Sequence, residues 1–125
     1  MAHLEHVNFT APDPDRTAAR LCALFDWQIR WTGQAKTTGY TVHVGGTDTY
    51  LAIYAQPGAQ ADPGDTYATR GGLNHIGVVV DDIDATEARV ADLGYTPHMH
   101  GDYEPGRRFY FDMEDGIEIE VVSYA

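Results

Sequence analysis

Two histidines and one glutamate stand where a metal ion could use them: His6, His75 and Glu120. Each histidine opens a short apolar run, Val7-Asn8-Phe9 and Ile76-Gly77-Val78, and Glu120 alternates with Ile119 and Val121. Successive side chains of an extended strand point to opposite faces. His6, Asn8 and Thr10 therefore share one face, and Glu118, Glu120 and Val122 share another. The opposite, apolar faces are free to pack on helices. Two imidazoles and a carboxylate suit one divalent Fe, Mn, Co, Ni or Zn ion and leave coordination positions open. At an open position a substrate binds through its oxygens while the ion stabilises charge developing there. A lone strand histidine is more often a hydrogen-bonded structural residue; the paired placement of two is what favours ligation. Glu118 is either a competing ligand or an exposed edge residue.

The elements that must position these residues come in two copies. Glu5-His6-Val7-Asn8-Phe9 resembles Asn74-His75-Ile76-Gly77-Val78 at an offset of 75 − 6 = 69. The same offset brings Asp13 onto Asp82 and Leu24 onto Leu93. With a one-residue slip, Tyr50-Leu51-Ala52-Ile53 falls on Glu118-Ile119-Glu120-Val121, so Ala52 occupies the counterpart of Glu120. Each copy reads as strand, helix, three strands. In the first, Asp13-Pro14-Asp15 supplies a cap and a first-turn proline, and Ala18, Leu21, Cys22 and Phe25 form an apolar stripe. In the second, Asp84-Ala85-Thr86-Glu87 fits a capping box and Gly94 a C-terminal stop. The expected fold is α+β: two paired βαβββ modules forming a cupped mixed sheet with helices outside. Module one spans about 1–56, a Pro/Gly/Asp-rich linker about 57–72, and module two about 73–125.

Composition narrows the function. The 125-residue chain carries 19 acids against 8 bases, a net charge of −11. Such a surface repels phosphate backbones and anionic membranes, so neither nucleic acid nor membrane is an expected partner. The N-terminus lacks the basic-then-apolar pattern of a signal peptide, and a single cysteine, Cys22, forms no internal disulfide. A cytoplasmic location is expected.

At Glu5-His6-Val7-Asn8-Phe9, at Asn74-His75-Ile76-Gly77-Val78-Val79-Val80-Asp81-Asp82 and at Phe109–Glu120 the chain resembles the vicinal oxygen chelate superfamily. This group holds glyoxalase I, bleomycin-resistance proteins, fosfomycin-resistance thiol transferases and extradiol dioxygenases. The resemblance covers essentially the whole chain. It implies a metal-dependent lyase, isomerase, dioxygenase or thiol transferase whose small-molecule substrate chelates the metal through vicinal oxygens, in a homodimer. Glyoxalase I uses a fourth protein ligand, and Ala52 stands at that position. The serine-rich loop of the fosfomycin enzymes is replaced by Glu104-Pro105-Gly106-Arg107-Arg108, and the acid-proline pair of the extradiol signature by Met113-Glu114. The alternative is a non-enzymatic, bleomycin-resistance-like module that sequesters a small molecule or drug; those proteins commonly lack the ligand triad.

Other residues surround this expectation. Tyr110 either donates a proton or hydrogen bond to substrate or forms an aromatic wall, and it is one catalytic candidate. His100, which with His98 shares a strand face by alternation, is the other. Tyr50 and Tyr54 flank Ala52 and, with Asn8, are candidates for substrate binding. Arg107 and Arg108 either bind a substrate carboxylate or phosphonate or are surface charge beside a turn. His43 reads as structural.

Overall fold

The computed structural model describes residues 1–35, 38–60, 62–103 and 106–125. The chain divides into two compact units, Met1–Gln60 and Ala61–Ala125.

In the first unit, β1 (His6–Thr10) leads into α1 (Pro14–Phe25), then β2 (Gln28–Gln34), β3 (Tyr40–Gly45) and β4 (Tyr50–Ala55). The sheet order is β1-β4-β3-β2, with β1 parallel to β4 and the other neighbours antiparallel. The second unit repeats this with β5 (Ile76–Val79), α2 (Ile83–Asp92), β6 (His98–Tyr103), β7 (Gly106–Asp112) and β8 (Glu118–Ser123), in the order β5-β8-β7-β6. A short 3-10 turn, Glu114–Gly116, separates β7 from β8. The fold is thus α+β, two βαβββ modules with one mixed four-stranded sheet each.

Alternation decides which face of each sheet is core. Val42, Val44, Leu51 and Ile53 are buried with Ala18, Leu21 and Leu24 of α1. Phe109, Phe111, Ile119 and Val121 are fully buried in the unit that carries Val90 of α2. Each such Val, Leu, Ile or Phe side chain contributes roughly 1.5–3 kcal/mol by leaving water. The opposite face carries the polar and aromatic alternates, although Thr41, Ala52 and Val122 on it are buried as well.

The helix starts follow the repeat rather than the local pattern. Asp13 caps α1 by accepting from Arg16 N at 3.2 Å, with Pro14 in the first turn. Its repeat partner Asp82 caps α2 by accepting from Ala85 N at 3.0 Å. The capping box expected at Asp84 is therefore corrected: Asp84 already lies in the helical first turn, where its charge meets Arg107 instead.

Two irregularities re-aim side chains. In β2, Ile29 pairs with Val44 but Trp31 with His43, which leaves Arg30 as the extra residue of a bulge. In β6, His98 pairs with Tyr110 and Gly101 with Arg108, so three steps of β6 match two of β7. Met99 takes the left-handed conformation, φ 51°, inside that bulge. Such conformations are uncommon without glycine and mark a local redirection of the chain.

Candidate functional site

In the second unit the free face of the sheet gathers around Glu120. Gly77 pairs with Glu120 across β5 and β8, and Tyr110 pairs with Glu120 across β7 and β8. His75 stands just before β5 and, by alternation, on the side of Gly77. Its Nε2 is 3.3 Å from Glu120 Oε1. The other oxygen, Oε2, accepts from Arg108 Nη1 at 2.9 Å and from the Tyr110 hydroxyl at 2.9 Å. Both members of the Arg108–Glu120 pair are largely buried, at 14% and 13% exposure. Burial is the largest influence and works against the Arg108 charge, but the bond to Glu120 together with the electrostatic pull of Tyr103, Glu120 and Tyr110 raises the guanidinium's affinity for its proton. The Tyr110 phenol is pushed up by burial first and then by the same carboxylate, so it stays protonated at neutral pH and acts as a donor. A Cβ at Gly77 would come within 3.8 Å of Glu120 Oε1, so the missing side chain leaves room beside that oxygen.

His75 has a second set of contacts. Nδ1 lies 2.7 Å from Asn74 Oδ1, and the ring meets Tyr110 edge-on at 5.5 Å. A bond from Nδ1–H to Asn74 leaves the Nε2 lone pair directed toward Glu120. Two donor atoms on a common ion, each about 2.0–2.2 Å from it, stand roughly 3 Å apart. The 3.3 Å between His75 Nε2 and Glu120 Oε1 fits that requirement. A histidine and a carboxylate so arranged suit a divalent metal, with Arg108 and Tyr110 as outer partners that orient the carboxylate. Glu118 lies beside them, 4.0 Å from His75 Nδ1, and accepts a hydrogen bond from Tyr67. That bond is the main reason the Tyr67 phenol is pushed up to about 12.

The first unit presents a different face. His6 pairs with Tyr50 and Asn8 with Ala52 across β1 and β4. His43 pairs with Ala52 across β3 and β4. The rings form a row: His6 on Tyr50 at 5.0 Å, Tyr50 on His43 at 4.6 Å, and His43 against Trp31 at 5.1 Å. Arg30, turned by its bulge, places Cζ 4.5 Å from the Tyr50 ring centre. His6 Nδ1 is 2.8 Å from Glu5 Oε1, and that contact, with a bond from Tyr50, holds the Glu5 carboxyl below its usual range. Burial lowers the proton affinity of His43, and the neighbouring His6 and Arg30 lower it further. His43 therefore lies on the face of His6 and Ala52, pointing away from the core as alternation requires.

The sequence-derived residues divide accordingly. His75, Glu120, Tyr110 and Arg108 meet in the second unit; His6, Asn8, Tyr50 and Tyr54 share a face of the first. The Tyr54 hydroxyl donates to Thr38 O at 3.1 Å and to Gln56 Oε1 at 2.7 Å, so its polar end is engaged locally. His100 and Arg107 need correction. The β6 bulge separates His98 from His100, which binds Glu87 of α2 at 3.0 Å and stacks on the core-facing ring of Phe109. Arg107 binds Asp84 of α2 at 2.9 Å. Both are on the helix side of the sheet, away from Glu120, where they border a cavity of about 280 Å³ with Ile83, Glu87 and Phe109. Glu104 and Pro105 of the adjoining turn lie outside the described residues. Residues not read as site residues from sequence are Arg30, Trp31, His43, Tyr67 and Asp112. Asp112 was accessible by alternation from Tyr110; Tyr67 had no signal, because it sits in a segment read as linker.

These features agree with the comparisons. The sequence profile of the Glyoxalase/Bleomycin resistance protein/Dioxygenase superfamily matches residues 5–111. No curated relative matches the sequence. Among solved structures, a glyoxylase/bleomycin resistance protein/dioxygenase domain from Frankia sp. EAN1pec is 23% identical with a TM-score of 0.82, over 98% of both chains. The fosfomycin resistance protein FosX from Mesorhizobium loti is 25% identical with a TM-score of 0.70, over 98% of this chain and 91% of that one. A Listeria monocytogenes FosX mutant complexed with Mn(II) and 1S,2S-dihydroxypropylphosphonic acid is 20% identical with a TM-score of 0.75, over 98% and 92%. Repeat, topology and profile together make this chain a member of the glyoxalase/bleomycin resistance/dioxygenase family, the vicinal oxygen chelate superfamily.

Proposed function

We propose that this protein is a metal-dependent enzyme in which His6, His75 and Glu120 hold one divalent ion for a small substrate that chelates it through vicinal oxygens. The observation that carries this reading is the prearranged His75–Glu120 pair, 3.3 Å between donor atoms, with Arg108 and Tyr110 fixing the carboxylate. His6 completes the set from the first unit, of this chain or of a second copy in a homodimer. When bound, the ion withdraws electron density from chelated oxygens and stabilises negative charge there. Arg108 holds Glu120 Oε2 in place through a 2.9 Å hydrogen bond. Tyr110, protonated at neutral pH, donates to that carboxylate at 2.9 Å, as Arg108 does, and is placed to donate to a developing oxyanion. His43, Tyr50 and Trp31 form an aromatic row on the free face of the first unit.

Among the reactions of the superfamily, epoxide opening by water or a thiol has the most support, because FosX proteins are among the structural relatives and Tyr110 is retained. Isomerisation of a glutathione hemithioacetal has less, because Ala52 offers neither ligand nor base. The aromatic row of the first unit favours a second reading, sequestration of a planar ligand without turnover. Titration with Mn(II), Fe(II), Co(II), Ni(II) and Zn(II) is expected to show stoichiometric uptake that depends on His75 and Glu120; no uptake of any of them ends the proposal. Turnover is then screened with an epoxide phosphonate, a catechol and the methylglyoxal–glutathione adduct. Metal uptake with ligand binding and no turnover selects the second reading. Light scattering at micromolar concentration tests the homodimer, and a monomer there refutes it.

A further inference from the structure

A second group of ligand-type side chains occupies the free face of the second sheet. Asp112 and Glu118 are directly paired across β7 and β8, and His98 of β6 pairs with Tyr110, two residues before Asp112. Strand register thus puts all three on the face of Glu120. One donor atom from each lies within 4.8 Å of the others. His98 Nε2 is 3.3 Å from Asp112 Oδ2, yet the alignment makes no hydrogen bond. That nitrogen is closed to solvent and has no hydrogen-bond partner among the described residues.

Two physical costs meet at this spot. Like charges directly opposite each other on neighbouring strands are destabilising. A buried polar atom without a partner forfeits the hydration it had in the unfolded chain. A cation between the three groups removes both. The β6 bulge is what makes the arrangement available, because it keeps His98 on this face while sending His100 to α2.

We propose that His98, Asp112 and Glu118 form a second divalent-cation site, one imidazole nitrogen and two carboxylate oxygens, contained entirely in the second unit. A set dominated by oxygen suits Mn(II) and tolerates Zn(II). Donors on one ion stand roughly 3 to 4 Å apart, so the ligands draw together on loading. Asp112, with a side chain 57% exposed, is free to rotate inward. Glu118 adjoins both this site and His75, so the two ions would share one sheet face. The site needs neither His6 nor a second copy of the chain, and it does not rest on the triad.

Mn(II) titration followed by electron paramagnetic resonance of the free ion tests this directly. Wild type is expected to bind two ions per chain, and His75→Ala/Glu120→Gln to keep one. Adding Asp112→Asn or His98→Gln to that double variant is expected to lower the remaining affinity by about tenfold or more. In the same background, Mn(II) is expected to broaden the imidazole resonances of His98. Asp112 is exposed, so Asp112→Asn decides the matter even where His98→Gln perturbs folding. Absence of binding by a folded double variant overturns the proposal. So does binding that neither Asp112→Asn nor His98→Gln weakens, which identifies an adventitious ion only. A wild type whose single ion is lost on Asp112→Asn and kept in Glu120→Gln supports this site and refutes the triad.

Discussion

Asn8 of β1 faces Ala52 of β4, and at the matching place in the second unit Gly77 of β5 faces Glu120 of β8. The correspondence runs across the sheets. Tyr50, His43 and Trp31 in the first unit stand where Glu118, Tyr110 and His98 stand in the second. One face is a row of stacked rings with Arg30 at its side; the other is a carboxylate cluster braced by Arg108 and Tyr110. The faces behind them are alike, Val42, Val44, Leu51 and Ile53 against Phe109, Phe111, Ile119 and Val121, all buried. A repeated scaffold therefore fixes where side chains point without fixing what they are. The helix-facing alternates keep the fold, and the free alternates diverge.

The most direct way to break this contrast is to give the second unit the first unit's residue. Glu120→Ala is expected to weaken divalent-metal binding on the order of 100-fold, measured by calorimetry, because under the proposed function it removes a ligand rather than an outer partner. It also removes the ion-pair partner of Arg108, so some loss of stability in urea unfolding is expected. The reciprocal change, Ala52→Glu, is expected to destabilise the metal-free protein by about 1–3 kcal/mol, since residue 52 is 2% exposed. Excess metal is expected to restore its melting temperature; recovery that fails to occur means residue 52 does not face the ion. Tyr110→Phe keeps the ring and removes only the bond to Glu120, so metal affinity is expected to drop about tenfold with stability little changed. An unchanged affinity makes Tyr110 a wall residue.

Two smaller effects sharpen the comparison. Asp13→Ala and Asp82→Ala are each expected to cost about 1 kcal/mol by uncapping equivalent helices. Asp84→Ala loses only an exposed pair with Arg107, so a smaller loss than at Asp82 is expected. Equal losses at Asp82 and Asp84 contradict the assigned cap. The smallest effect is at Tyr67, whose folded value is raised to about 12. A raised value means that the bond to Glu118 contributes fully below the phenol's ordinary value of about 10 and is lost as pH climbs through about 12. Ultraviolet titration is expected to show late-ionising tyrosines, and the phase near 12 is expected to lose one tyrosine in Tyr67→Phe and to move down in Glu118→Gln.

The fold was readable because its signals are redundant. The 69-residue offset, the Asp13 and Asp82 caps and the period-two strands all indicate the same order of elements. The repeat even outperforms the local capping box at Asp84, which matches a motif that the helix does not use. The sheet faces of the candidate residues Tyr110, Glu120 and Tyr50 followed equally from plain alternation. What alternation misses is the bulge. Met99 carries no glycine to advertise its left-handed backbone, so His100 is assigned to the wrong face from sequence. Arg30 is hidden for the same reason. Tyr67 is invisible because its partner Glu118 is 51 residues away and its segment has no periodicity.

The strict separation of core-facing and free alternates has a consequence for laboratory evolution. Libraries confined to positions 31, 43 and 50, or to 98, 110, 112 and 118, vary only side chains that point away from the helices. Such libraries sample new ligand chemistry while leaving the buried half of every strand untouched, so a large share of their members should still fold. A single-residue insertion beside Met99 does the opposite. It exchanges the two faces beyond it in one step and converts a recognition position into a core position, or the reverse.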